Sequence, residues 1–242
     1  MTAKPATLDI LEILEHGQME MEGLVSWGSN YTFLTHLTHD AGDLDAIYKP
    51  SRGERPLWDF ARGTLCLRER SAYLVSEAIG WSLVPPTILR EGPHGWGSLQ
   101  FFIQHDPNMH YLTFQGNHIE QSQQVALFDV IINNADRKSG HVLLGNDGRL
   151  WAIDHGVAFH DEDKLRSVVW DFAGQAIPDH LSENLMAFQS WLCYGNDKLR
   201  QELGQLLDKA EMDALEMRLQ RLLETGTFPH PGPGRYYPWP LV

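Results

Sequence analysis

The chain has 242 residues, 43% of them hydrophobic and 10% aromatic. That suffices for a real core in one domain, which can carry two lobes. Its formal net charge of −13 argues against nucleic acid and anionic membrane as partners, because both would repel it. No apolar run reaches the roughly 18 residues of a transmembrane helix. The first residues lack the basic segment and apolar block of a secretion signal. The expectation is a cytoplasmic protein without a transmembrane segment. Cys66 and Cys193 lie far apart with no CxxC pairing, as for buried thiols in a reducing compartment. The twelve histidines are scattered, and His36/His39 is not by itself a metal-binding spacing.

Residues 7–15 read as a short helix, with Thr7 as candidate N-cap, apolar Leu8, Leu11, Ile13 and Leu14, and Gly17 as the stop. Three strands follow, at 18–27, 31–38 and 44–49, joined by turns at Gly28-Ser29-Asn30 and Asp40-Ala41-Gly42-Asp43. The first turn could offer backbone N–H groups and the Ser29 and Asn30 side chains to a phosphate; Gly-Ser-Asn is equally an ordinary hairpin sequence. Lys49 ends the third strand. Such a lysine reaches water by default and gains a role only if a helix carboxylate meets it. Residues 50–64 read as a polar loop. Residues 65–79 read as a helix stopped by Gly80, with Leu67, Leu74, Val75, Ala78 and Ile79 on one face. Glu69 is the candidate partner for Lys49, and Glu77 is its rival. Residues 83–90 contain Pro85-Pro86 and so belong at a sheet edge, since proline cannot donate to a ladder. An apolar strand at 98–104, a polar connection at 105–116 between lobes, and a helix at 119–132 complete this half.

Two acidic loops then flank a hairpin. Asn133-Asn134-Ala135-Asp136-Arg137-Lys138-Ser139-Gly140-His141 precedes a strand at 142–144, Gly145-Asn146-Asp147-Gly148 forms the turn, and a return strand at 150–153 leads into Asp154-His155-Gly156. The hairpin would gather Asp136, His141 and Asp154 around one small volume. A carboxylate near a nucleophile, beside a second that can hold a divalent metal, suits phosphoryl transfer; aspartates are also ordinary turn formers. Residues 159–180 have no clean period and read as a substrate-facing loop or an irregular packing segment. Residues 182–194, 197–208 and 211–225 read as helices, the last two with a leucine stripe that is core. The tail, 228–242, has five prolines among Tyr236, Tyr237 and Trp239 and should be extended.

These motifs, in this order, resemble the phosphatidylinositol 3-/4-kinase superfamily, most closely its type II phosphatidylinositol 4-kinase branch and small bacterial relatives. Glu69-Arg70-Ser71-Ala72-Tyr73-Leu74-Val75 and Val84-Pro85-Pro86-Thr87 are similar to that branch's helix and following strand. Gln100-Phe101-Phe102-Ile103 is similar to its hinge, Asn134-Ala135-Asp136-Arg137 to its catalytic loop, and Ile153-Asp154-His155-Gly156-Val157-Ala158-Phe159 to its metal-binding motif. The resemblance runs from about residue 20 to about residue 160.

It implies an α+β, two-lobed protein-kinase-like fold in a single domain. An N-lobe of antiparallel sheet plus one helix would occupy about 1–104. A mainly helical C-lobe with a catalytic β-hairpin would occupy about 105–242. ATP and Mg²⁺ (or Mn²⁺) would be the cofactors. Ser29 and Asn30 would cap the ATP phosphates, Lys49 oriented by Glu69 would contact them, and the backbone around Phe102 and Ile103 would hold the adenine. Asp136 would be the base, with Arg137 and Lys138 beside it in the catalytic loop, and Asp154 would bind metal. His141 stands where the family usually has a metal-binding Asn, and imidazole suits Mn²⁺ better than Mg²⁺. The cysteine cluster of the eukaryotic type II enzymes is missing. The resulting expectation is transfer of the ATP γ-phosphate to a hydroxyl of a soluble small molecule or protein. The alternative is a nucleotide-binding pseudokinase or regulatory module. Lys164 and Arg166 could meet an anionic substrate or form a solvated face.

Overall fold

The structure is a computed structural model and describes residues 7–24, 31–114, 116–195 and 197–242. The N-terminal half contains α1 (Thr7–His16), β1 (Gln18–Leu24), β2 (Phe33–His39), β3 (Gly42–Pro50), α2 (Leu65–Ile79), β4 (Thr87–Gly92) and β5 (Gly95–Phe101). The five strands form one antiparallel sheet in the order β1-β2-β3-β5-β4. β4 follows Pro85-Pro86 and takes an edge, as the prolines require.

Strand periodicity positions Lys49. In β3, Leu44, Ala46 and Tyr48 are buried and pack with Ile10, Ile13 and Leu14 of α1. The two-residue period turns Lys49 to the other face, where α2 runs. Gly97 on β5 pairs with Pro50. A Cβ there would lie 2.3 Å from the Lys49 carbonyl oxygen, so only glycine lets the two strands close beside Lys49. Both helices read from the sequence in this half, at 7–15 and 65–79, are present as α1 and α2. α1 backs the sheet, and α2 lies on the face to which Lys49 points.

The second half contains β6 (His105–His110), α3 (Ile119–Ile132), β7 (Val142–Gly145), β8 (Leu150–Ala152), α4 (Asp179–Tyr194), α5 (Lys198–Leu206) and α6 (Lys209–Thr225). β6 replaces part of the expected polar connection. It pairs with β7 through His105 and His110, and β7 pairs with β8. His-Asp-Pro-Asn-Met-His has no alternation to announce a strand; the exposed edge of β7 imposes it. α6 starts with a capping box between Asp208 and Glu211.

The largest core joins the two halves. Tyr73, Leu74 and Val75 of α2 pack with Phe128 and Ile131 of α3, Leu185 and Phe188 of α4, and Leu215 and Leu219 of α6. The polar side of α2 is tied down as well. Arg68 pairs with Glu211, and Arg70 pairs with Glu202 at 2.7 and 2.9 Å. Breaking one partner of the buried Arg68–Glu211 pair would cost about 3–5 kcal/mol, and the half-buried Arg70–Glu202 pair adds a second tie, so α2 is fixed to the helical half while Glu69 points at β3.

Candidate active site

α3 carries an acid inside an apolar run. Asp129 is fully buried between Phe128 and Val130. Its carboxylate accepts from Arg137 Nε at 3.0 and 3.1 Å, from Ser167 Oγ at 3.0 Å and from Asn134 Nδ2 at 3.1 Å. Arg137 in turn donates to the carbonyls of His141 (3.1 Å) and Ile153 (2.7 Å) and to His155 Nε2 (2.8 Å). One guanidinium thus staples α3 to both acidic loops. The chain leaves α3 through Asn133 in the left-handed region (φ +53°), and Asn134 Oδ1 accepts the Asp136 N–H at 3.0 Å. This fixes the start of the loop and leaves the Asp136 side chain free to turn outward, where Lys138 Nζ meets it at 3.1 Å.

The N-lobe closes the site from the other side. Lys49 Nζ bridges Glu69 Oε1 at 2.5 Å and Asp154 Oδ1 at 2.9 Å. Glu69 is held by the His155 backbone N–H at 3.0 Å. Glu69 is therefore the partner of Lys49, and Glu77 is not. Asp154 has a left-handed backbone (φ +61°), an uncommon conformation for a side-chain-bearing residue and one that concentrates at functional sites. Burial opposes the Lys49 charge, but Asp154 and Glu69 outweigh it and raise its pKa. Lys49 in turn holds the Asp154 carboxyl well below the usual carboxylate range. Burial pushes Asp136 upward, against the pull of Lys138, the direction that suits a group accepting a proton.

The donor set fits a divalent cation. Burial lowers the His141 pKa to about 4, helped by Arg137, Lys138 and Lys49 and opposed by Asp154, so the ring is neutral at pH 7. Its Nδ1 lies 3.1 Å from the Asp136 carbonyl, which can only accept, so Nδ1 carries the proton. Nε2 then presents a lone pair to Asp154 Oδ2, 3.3 Å away. These two groups are the donors that could hold a divalent cation.

Lys49, Glu69, Asp136, Lys138, His141 and Asp154 come together as the sequence suggests. Ser29 and Asn30 lie outside the described residues. Arg137 needs correction. It has no exposed surface, so it positions both loops and touches no substrate. The hinge is also only partly as expected. The Phe102 N–H is spent on the Asp45 carbonyl at 3.0 Å, and the Ile103 carbonyl takes His105 Nδ1 at 2.7 Å; both groups are committed to protein partners. Lys164 does not await a substrate, because it pairs with Asp59 at 3.1 Å and Glu162 at 3.3 Å. The reading missed Asp129, His155 and Ser167. The signal for Asp129 was a lone acid in an otherwise apolar helix face. It also missed the tail, whose Leu241 carbonyl accepts the Ser139 N–H at 2.7 Å beside the loop that carries Asp136.

An ion-paired lysine, a helix glutamate and two loop aspartates between a sheet lobe and a helical lobe define a kinase-like protein. Residues 86–203 match the family model described as phosphatidylinositol 3- and 4-kinase. A protein of Mycobacterium tuberculosis, Rv2133c, is 38% identical over 263 residues, covering 94% of each chain. Phosphatidylinositol 4-kinase gamma 4 of rice is 29% identical over 133 residues, covering 47% of this chain and 24% of that protein. Among solved structures, a hydra Fam20 with sugar has a TM-score of 0.54 at 12% identity, covering 89% of this chain and 87% of that one. The Helicobacter pylori proinflammatory kinase CtkA has a TM-score of 0.53 at 10% identity, covering 88% and 93%; these two share the fold. The chain belongs to the phosphatidylinositol 3-/4-kinase superfamily.

Proposed function

We propose that this member of a phosphotransferase superfamily moves the γ-phosphoryl group of ATP to a hydroxyl, in a reaction that depends on a divalent metal. The Lys49 ammonium bridging Glu69 and Asp154 carries the reading, because it sets a cation where phosphates arrive and anchors it to both lobes. Asp136 accepts the acceptor's proton while Lys138 offsets charge at the transferred group. The acceptor O–P bond forms as the bond from Pγ to the ADP oxygen breaks. Asp154 and His141 would hold the metal, which supplies charge neutralisation at the phosphates. Positioning and electrostatics do most of the work in such a transfer.

A second reading, a nucleotide-binding module without transfer, draws support from His141, a poorer Mg²⁺ ligand than an oxygen donor. Titrating ATP with Mg²⁺ and with Mn²⁺ while following binding and labelled phosphate separates the two. Transfer with either metal supports the enzyme. Binding without transfer or hydrolysis under both metals supports the module.

A further inference from the structure

β1, β2 and β3 run side by side in the sheet, and strand alternation gives them two faces. Leu37, Leu44 and Ala46 take the face packed on α1. His36 and Asp45 pair directly across β2 and β3 and so take the opposite face, the one that carries Lys49. The register of β1 against β2 shifts between Met21 and Gly23, which leaves Glu22 as the unpaired residue of a bulge, and a bulge re-aims a side chain. Glu22, His36 and Asp45 thereby converge: one nitrogen or oxygen from each lies within 4.8 Å of the other two. Among the described residues no other three His, Cys, Asp or Glu side chains meet so closely.

An imidazole with two carboxylates is a donor set for Zn²⁺ and its neighbours among the divalent transition metals, and a poor one for Mg²⁺. Donors at about 2.0–2.2 Å from such an ion stand up to about 4.4 Å apart, so a small rotation of the exposed Glu22 side chain closes the set. His36 Nδ1 lies 2.8 Å from Asp45 Oδ1, a contact that fixes ring and carboxylate before an ion arrives. A plain His–Asp ion pair would need no third group. Here the hydrogen bond to Asp45 and the charges of Asp45, Asp43 and Glu22 raise the His36 pKa, so more negative charge gathers than one imidazolium can offset. No lysine or arginine pairs with Glu22, Asp43 or Asp45 among the described residues. The His36 and Asp45 side chains are 37% and 35% exposed, which leaves water to complete the coordination.

We propose that Glu22, His36 and Asp45 form a binding site for a divalent transition-metal ion of the Zn²⁺ class, separate from the His141–Asp154 pair. Asp45 precedes Lys49 by four residues on β3, about 13 Å along an extended strand. Each ligand comes from a different strand, and β1 is an edge of the sheet. A bound ion therefore crosslinks that edge to the strand that carries Lys49. Its occupancy stabilises the sheet and does not depend on phosphoryl transfer.

The test dialyses the full chain and its H36Q and E22Q variants against Zn²⁺ without nucleotide and counts the bound metal. Reading the difference between wild type and H36Q makes the count independent of the other histidines. Wild type should hold one more equivalent than H36Q at micromolar free Zn²⁺, and E22Q should bind that equivalent at least tenfold more weakly. The same difference of one should separate H141N from H36Q/H141N. Saturating Zn²⁺ should raise the melting temperature of wild type more than that of H36Q. If H36Q holds as many equivalents as wild type, or E22Q binds with wild-type affinity, the inference is overturned. If the difference vanishes in the H141N background, the equivalent belongs to the cleft and the inference is overturned as well. Should H36Q misfold, the exposed E22Q change alone decides. None of these results bears on the phosphotransferase reading, which is tested with ATP.

Discussion

Replacing Lys49 with Met is the most informative single change. The variant keeps the length and apolar stem of the side chain and removes only the ammonium. In the wild type that group makes two bonds, at 2.5 Å to Glu69 and 2.9 Å to Asp154. Glu69 is almost fully buried and would keep only the His155 N–H at 3.0 Å as a strong donor. A lost charged hydrogen bond of this kind costs about 1.5–3 kcal/mol of stability. On phosphotransfer the loss is larger in consequence. Removing one preorganised electrostatic contact costs about 3 kcal/mol in the transition state, or about a hundredfold in rate. Turnover of γ-labelled ATP, read beside urea denaturation on the same preparations, separates the two effects. The pH dependence adds a sign. Lys49 depresses the Asp154 carboxyl, so the pair's contribution to stability is present above the ordinary carboxylate pKa of about 4 and is lost as pH falls further. K49M should lack that acid-side loss. A folded K49M that turns over ATP within threefold of wild type would refute the role given to this residue.

Other expectations are as direct. The His141 pKa is lowered to about 4 from an ordinary value of about 6.5. The unfolded chain therefore binds more protons between these values, and stability falls by about 3 kcal/mol as pH drops across that window. His155, whose pKa burial also lowers, adds to the slope. H141N should show a shallower slope in denaturant melts from pH 6.5 to 4, and a smaller ratio of Mn²⁺- to Mg²⁺-supported activity. An unchanged slope would remove the buried neutral histidine from the account. R137A strips the fully buried Asp129 carboxyl of its guanidinium partner, and should destabilise by about 3–5 kcal/mol in calorimetry. R137K should recover part of the fold but not the two-loop staple, and should lose kcat more than nucleotide affinity. Burial lifts the Cys66 thiol to about 12 while Cys193 is exposed, so a thiol reagent at pH 8 should titrate one group quickly and the second only on unfolding.

The sequence carried most of the fold because the relevant signals were local. Helices at Leu65–Ile79 and Ile119–Ile132 have the apolar spacing and stop residues that any chain would read. The tight turn between β7 and β8 fixes where Asp136 and Asp154 end up. What escaped was set by partners distant in sequence. β6 is a strand only because β7 offers it an edge. Arg137 is a buried staple rather than a catalytic group because Asp129 waits under it, and the order of residues in a loop does not reveal depth. Lys164 finds Asp59 across 105 residues of chain, which no periodicity announces.

A crystal of the protein with Mn²⁺ and a non-hydrolysable ATP analogue, measured at the manganese edge, addresses the central claim most directly. The account predicts an anomalous peak within coordinating distance of both His141 Nε2 and Asp154 Oδ2, with nucleotide phosphates on Lys49 Nζ. Nucleotide bound elsewhere, or manganese absent from that pair while the phosphates occupy the cleft, would contradict it.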